Sequence, residues 1–460
     1  MPQNPRKPFE VAIIGGGIAG ITLAISLLER NVPCVIYEQA HTFGEVGAGL
    51  GISPNALCAM TVCDPSVSRA FDKVVSGNMW ESKKGILFEF LDGMDDTTDL
   101  TPRFTIRNSV GLRGCHRGHL VNELLKLLPN DVTRFNKQLE RIEEPQGHSS
   151  GKLRMVFRDG TEAEADAIVG CDGIKSRMRE IIVGHGDPSA KCSYTHKFAY
   201  KGMVPMDQAV EVLGEERAVN ATIWTGKDMH MVTYPVAHGT VCNVVAYRSS
   251  TSDWPSDNQL TLPAQKGDLL EDFKGFRPML LRFMEMVRNL DRVSQPPTPL
   301  PTKPLSLCHQ NLTGEQWAMF DLGDYPVPTF AKGRMCIIGD AAHATTPHHG
   351  AGVGLCFEDA AVLASLLADD KVQTSTDIEA AFATFDTSRR KRSQWVVQKS
   401  RRGGDLYELR TEVGNDVQKM AQELREILAV IWDFSIEDAI GEALDDLRNC
   451  LVVKAERANI

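Results

Sequence analysis

The stretch Val11-Ala12-Ile13-Ile14-Gly15-Gly16-Gly17-Ile18-Ala19-Gly20 decides the fold. Its first four residues form an apolar run of the kind that a parallel sheet buries on both faces. Gly15-x-Gly17-x-x-Gly20 follows at once, and a helix then reads from about Ala19 to Arg30, with Ile21, Leu23, Ala24, Leu27 and Leu28 as its apolar side. In such a unit each glycine has its own duty: a tight turn, close approach of the backbone to a pyrophosphate, and close packing of helix on strand. The phosphates lie at the positive end of the helix dipole. A second apolar run, Val32 to Tyr37, ends in Glu38, where a strand-end carboxylate accepts hydrogen bonds from a ribose hydroxyl pair. A lone glycine pattern could be an accidental turn; the strand before it, the helix after it and Glu38 in register make it a nucleotide cradle. The carboxylate favours an unphosphorylated ribose, FAD or NAD, and these residues leave that choice open.

Two further strand ends carry the same logic. Met335-Cys336-Ile337-Ile338 runs into Gly339-Asp340, and the glycine-rich Gly350-Ala351-Gly352-Val353-Gly354 leads into a helix from about Leu355 to Asp369. A row of backbone N–H groups at a helix start suits a negatively charged ring edge. Ala167-Ile168-Val169-Gly170 likewise runs into Asp172-Gly173, with Ser176 and Arg179 beyond. Taken singly, Asp172 and Asp340 read equally as helix N-caps, and Arg117 in Gly114-Cys115-His116-Arg117 as an exposed ion-pair partner. His343, His348 and His349 lack the helical pair with a carboxylate that a metal site shows, so they read as structural or pocket-lining, and no metal is expected.

The chain of 460 residues exceeds one compact core and divides into two or three domains. With 42% hydrophobic and 24% charged residues, its composition excludes only disorder and fibres. A net charge of −10 argues against a nucleic-acid partner. The basic run Arg389-Arg390-Lys391-Arg392 reads as a solvated helix face rather than a polyanion site. Eleven scattered cysteines without metal spacing imply reduced thiols. The polar start and the glycine-broken apolar run give neither signal peptide nor membrane span, so a cytoplasmic protein is expected.

With these motifs in place, the chain resembles the single-component (group A) flavoprotein aromatic monooxygenases of the p-hydroxybenzoate-hydroxylase fold. The resemblance rests on the Gly15–Gly20 turn with Glu38, the Asp172-Gly173 and Gly339-Asp340 motifs, and Cys115-His116-Arg117 with Leu120. It implies bound FAD, with Glu38 on the adenosine ribose, Arg117 and Asp172 along the cofactor, and Asp340 at its ribityl or phosphate portion. The runs Gly44-Glu45-Val46-Gly47-Ala48-Gly49, Gly114–Arg117 and Thr346–Gly352 look like the fungal branch of salicylate-hydroxylase-like enzymes and of polyketide monooxygenases that dearomatise resorcinol aldehydes. The expected cofactor set is Gly15, Gly17, Gly20, Glu38, Gly49, Arg117, Asp172, Asp340, Gly350, Ala351, Gly352 and Val353.

The expected fold class is α/β. It has a Rossmann-like FAD-binding domain over 1–190 and 328–400, a mainly antiparallel β-sheet substrate domain over 191–327, and a helical region over 401–460. Short alternating runs such as His230–Tyr234 and Val241–Tyr247 give the antiparallel strands, and Pro296–Pro301 an extended connection. The tail is expected to pack on the FAD domain or on a partner subunit, in a monomer or a homodimer. In the dearomatising group an Arg and a Tyr hold the substrate phenolate, and the matching positions are Lys201 and Tyr234. Lysine keeps the charge and loses the two-pronged geometry. On their own these residues read equally as a solvated strand lysine and a core aromatic with a wet hydroxyl. The resemblance further implies NAD(P)H as a transient reductant, O2 as co-substrate, and attack by a flavin C4a-hydroperoxide on an electron-rich ring. A decarboxylating salicylate hydroxylase and an oxygen-independent flavoprotein dehydrogenase are the rival readings.

Overall fold

Four strand-end loops, far apart in the chain, meet along one edge of one sheet. The computed structural model describes residues 5–44, 49–97, 99–144, 151–256, 259–287 and 314–458. Residues 45–48 of the Gly44–Gly49 run and the Pro296–Pro301 connection lie outside the described residues. A six-stranded sheet runs in the order Ala331–Lys332, Met335–Ile337, Ala167–Gly170, Val11–Ile14, Cys34–Tyr37, Thr133–Arg134. All neighbours are parallel except the Ala331–Lys332 edge hairpin. Parallel pairing puts the carboxyl ends of four strands side by side, and there lie Asp340, Asp172, the Gly15 turn and Glu38, in that order. In open α/β sheets ligands bind at this edge.

The helix Ile18–Glu29 packs between this sheet and the helix Gly352–Ala368, so Thr22, Ile25 and Ser26 are buried along with the expected apolar side. It is a core helix rather than an amphipathic surface one. The expected helix from Leu355 begins at Gly352 instead, and Gly352 and Val353 form its first turn.

An eight-stranded sheet lies beyond, in the order Thr261–Ala264, Gly314–Asp321, Ser193–Pro205, Val241–Ser249, Met229–Val236, Thr222–Gly226, Ile86–Asp92, Phe104–Arg107. Its pairings are antiparallel except where Thr222–Gly226 meets Ile86–Asp92. Two of its strands thus come from the segment before residue 190, since Ile86–Asp92 pairs with the edge of Thr222–Gly226 and Phe104–Arg107 pairs with Ile86–Asp92. One face carries Tyr200, Trp224, Met231 and Val244 and is covered by Leu269, Phe273, Leu280 and Phe283 of two short helices. On the opposite face Phe90 and Ile223 pack on Ala351, Leu355, Val396 and Tyr407.

The helix Ser375–Tyr407 runs unbroken through the expected boundary at 400/401 and clamps the sheet to the nucleotide body. The helices Val417–Trp432 and Ile436–Ala458 follow. Met420 and Leu424 join the core under the sheet, and Ile436 and Leu447 join the nucleotide core. Among the described residues no helix is long and apolar enough to cross a membrane.

Candidate active site

The glycine turn behaves as three separate solutions to crowding. Gly15 has φ +106°, and a Cβ there would lie 2.5 Å from the Cys171 carbonyl oxygen. A Cβ on Gly20 would lie 2.0 Å from the Gly15 carbonyl oxygen, which is helix pressed on strand. Gly17 has nothing within 4 Å of its Cβ position and faces open space. The first helical bond runs from Ile21 N–H to the Gly17 carbonyl, so the amides of Ile18, Ala19 and Gly20 at the helix start are left for an anion. Glu38 accepts from the Gly16 amide at 2.6 Å and from the Ala40 amide at 2.8 Å, so the strand-end carboxylate holds the glycine turn as well as facing the cleft edge.

Asp172 is both cap and cleft residue. Its Oδ1 accepts from Ser176 Oγ at 2.5 Å and its Oδ2 from the Met178 amide at 2.9 Å, at the start of the helix Arg177–Val183. Burial raises its pKa against these hydrogen bonds. The buried Arg179 donates to the carbonyls of Ile174 (2.7 Å), Ala190 (3.2 Å) and Ala341 (2.9 Å), latching the Asp172 loop to the Asp340 loop. Asp340 opens its carboxylate to the cleft yet is walled by protein, which raises its pKa while His343, Arg117 and Arg179 oppose the rise. Arg117 begins the helix Arg117–Leu125; burial lowers its pKa and the charge of Asp340 partly restores it.

A buried ionic network supports the Gly339-Asp340 loop. Asp359 accepts from the Gly339 amide (3.0 Å), His343 Nε2 (2.6 Å) and Arg389 Nε (2.9 Å). Glu358 accepts from Arg389 (2.6 Å), Arg392 (2.8 Å) and Asn55 (2.6 Å). Arg389 is fully buried, which corrects the reading of Arg389–Arg392 as a solvated face: two carboxylates inside an apolar helix demand buried cations. Burial works against the Asp359 charge, but His343 and Arg389 outweigh it and hold its pKa at about 2.

His348 and His349 are buried against Gly404 and Gly403. A Cβ on those glycines would lie 2.6 Å from His348 Cε1 and 2.3 Å from His349 Cε1. His349 Nε2 donates to the Lys399 carbonyl at 2.8 Å, and burial lowers its pKa to about 4. His343 serves Asp359, so the three histidines take separate places.

Lys201 and Tyr234 sit on the sheet face that meets the nucleotide body, two strands apart, about 10 Å across the sheet. Lys201 Nζ lies 4.2 Å from the Trp317 ring centroid. Tyr234 is buried against Gly49 and Gly114, whose strands pair as Gly49–Gly51 with Gly114–His116 and lead directly to Arg117. Burial, then Tyr247, Cys115 and Cys242, push the Tyr234 phenol well above its ordinary value, so it remains a hydrogen-bond donor.

Comparison with known proteins gives the family. The FAD binding domain family matches residues 311–400. The FAD-dependent monooxygenase pigN of Monascus ruber is 40% identical over 457 residues, covering 96% of this chain and 98% of its own length. This chain belongs to the FAD-dependent monooxygenases. The salicylate hydroxylase asL1 of Sarocladium schorii is 36% identical over 96% of this chain and 92% of its own. A solved salicylate hydroxylase substrate complex superposes with a TM-score of 0.79 at 27% identity, covering 95% of this chain and 98% of that one. The monooxygenase is therefore of the salicylate-hydroxylase-like type and binds FAD.

The cleft suits that cofactor. Gly17, Gly51 and Gly173 all open onto space in which a Cβ would meet nothing within 4 Å. The amides before Ile21 and those of Gly352 and Val353 face it from two helix starts. Reading the sequence missed Arg179 as a latch, Asp359 as a support, and the buried trio His230, Glu408 and Lys197. The signal for Asp359 was available, because adjacent Glu358 and Asp359 interrupt an apolar helix. None existed for Glu408, which only long-range folding brings to the sheet.

Proposed function

We propose that this monooxygenase hydroxylates a phenolic, resorcinol-like ring of polyketide type, with NAD(P)H as reductant. The observation that carries the reading is that Lys201 and Tyr234 share one sheet face, with Tyr234 against Gly49 and Gly114. FAD, when bound, accepts electrons from the nicotinamide and activates oxygen for transfer to the ring. The turn that Gly15 and Gly20 shape would receive its pyrophosphate at Gly17, and Glu38 would hold its adenosine ribose. Arg117, Asp172 and Asp340 line its length, and Gly49 with Gly350, Ala351, Gly352 and Val353 frames its ring.

The remaining work falls to the sheet. A phenol titrates near ~10, and a cation beside it favours the ionised form. Lys201, steadied over Trp317, supplies that cation. Tyr234 keeps its proton and donates it as a hydrogen bond to a substrate oxygen. A ring ionised in this way is electron-rich and open to oxygen transfer, and oxygen placed at an alkyl-bearing carbon ends its aromaticity.

The likeness to salicylate hydroxylases favours a second reading, in which the ring carboxylate leaves as oxygen enters. Incubation of the yellow protein with NADPH or NADH and either a resorcinol aldehyde or salicylate separates the two by product mass. Gain of one oxygen by the aldehyde supports the first reading. Loss of CO2 from salicylate with no turnover of the aldehyde overturns it in favour of the second. Oxygen uptake that neither substrate stimulates overturns both.

A further inference from the structure

Between the sheet and the glycine-rich loop lies a buried polar cluster that the reaction as described does not use. His230 projects from Met229–Val236 and is fully buried, stacked on Tyr247 with ring centroids 4.4 Å apart. Its Nδ1 donates to Glu408 Oε1 at 3.1 Å, at the end of the helix Ser375–Tyr407. Glu408 Oε2 accepts from Lys197 and Ser249, and Lys197 Nζ lies 3.0 Å from Asp405, whose side chain is 40% exposed. On the inner side, His348 stands two residues before Gly350, and its carbonyl accepts from the Tyr407 hydroxyl at 3.1 Å. Nitrogen and oxygen atoms of His230, His348 and Glu408 lie within 4.8 Å of one another.

The decisive feature is what these groups lack. His230 Nε2 and both ring nitrogens of His348 are buried with no hydrogen-bond partner among the described residues. Such atoms are rare in folded proteins and call for a bound water or ligand atom. Atoms no farther apart than 4.8 Å are within reach of one water making two hydrogen bonds of about 2.8 Å. The Lys197 ammonium on Glu408 sets a positive charge where a divalent cation would bind, so the cluster suits a proton rather than a metal.

We propose that Asp405, Lys197, Glu408, His230 and His348, with one bridging water, conduct a proton from solvent to the glycine-rich loop. The need for it rests on the function proposed above: substrate + O2 + NAD(P)H + H+ gives oxygenated substrate + NAD(P)+ + H2O. One oxygen atom enters the ring, the other leaves as water, and one proton must arrive from outside. Inward transfer needs His230 to accept at Nδ1 and donate from Nε2, the reverse of the Nδ1–H bond to Glu408 at rest, so its proton changes nitrogen before each passage. Burial keeps His230 and His348 neutral, each with one nitrogen to accept and one to donate. Burial opposes the charge of Glu408, but His230 and Lys197 outweigh it and hold the carboxyl below its ordinary range. The other polar groups facing the cluster are Ser249, Tyr247, Tyr407 and His349.

The test compares Asp405→Asn and His230→Gln with the unaltered holoenzyme in weak buffer, with and without added imidazole. The chain predicts turnover lowered about 10-fold or more, FAD affinity by fluorescence within about 2-fold, and recovery that rises with imidazole. Because Asp405 is partly exposed, its variant separates transport from folding. Wild-type turnover in both variants overturns the chain, and so does a loss that imidazole does not reverse. Reduction of O2 to H2O2 without substrate consumes the same proton, so the basal oxidase rate reads the chain even if no phenol stimulates uptake. That last result would overturn the proposed function and not the chain.

Discussion

The hydroxyl of Tyr234 occupies the space that a side chain on Gly49 would need: a Cβ there would lie 2.2 Å from Tyr234 Oη and 2.9 Å from Cζ. The strands Gly49–Gly51 and Met229–Val236 are therefore fitted to each other through one missing side chain. Gly49→Ala is expected to cost about 1–3 kcal/mol through overpacking and to displace the tyrosine. Adding Tyr234→Phe removes the nearest atom and should recover part of that cost. Strictly additive losses in denaturant unfolding would show that the two residues do not touch.

In the proposed function Lys201 would lower the pKa of a bound phenol, so removing the charge would move ionisation to higher pH. In Lys201→Met the pH of half-maximal hydroxylation should rise, with FAD affinity unchanged. An unaltered pH profile and substrate affinity would remove Lys201 from the site.

Asp359 titrates at about 2 in the folded protein against ~3.9 when unfolded, so its contribution to stability is complete above pH ~4 and disappears as pH falls toward 2. Asp359→Asn leaves Arg389 partly uncompensated and should cost about 3–5 kcal/mol at pH 7. The same variant should lose less further stability on acidification than the unaltered protein. Urea unfolding at pH 7 and pH 3 measures both.

Gly404 lies inside a helix, where exchange of glycine for alanine ordinarily stabilises by roughly 0.5–1 kcal/mol. Here the new Cβ would meet the His348 ring at 2.6 Å. Gly404→Ala should therefore destabilise, and thermal unfolding reads the sign directly. A gain in Tm would mean that His348 is free to move.

The strand ends were legible because their signals are local. An apolar run, a turn glycine and a strand-end carboxylate lie within a few neighbours of one another, and Val11–Ile14, Cys34–Tyr37, Ala167–Gly170 and Met335–Ile337 became strands where the pattern put them. The same reasoning failed for Ile86–Asp92 and Phe104–Arg107, whose place in the second sheet depends on pairing with Thr222–Gly226. It failed also for Arg389, since a basic run looks solvated until the carboxylates it neutralises are known.

The sequence by itself determined that this chain builds a dinucleotide cradle with two further strand-end loops, because turn chemistry and side-chain period act over a few residues. Only the tertiary structure decided that the loops share one sheet edge, that Tyr234 fits over Gly49, and that Glu408 reaches His230. Those outcomes depend on burial, which sets what a charged or polar group must find as a partner, and no residue's burial is written in its near neighbours.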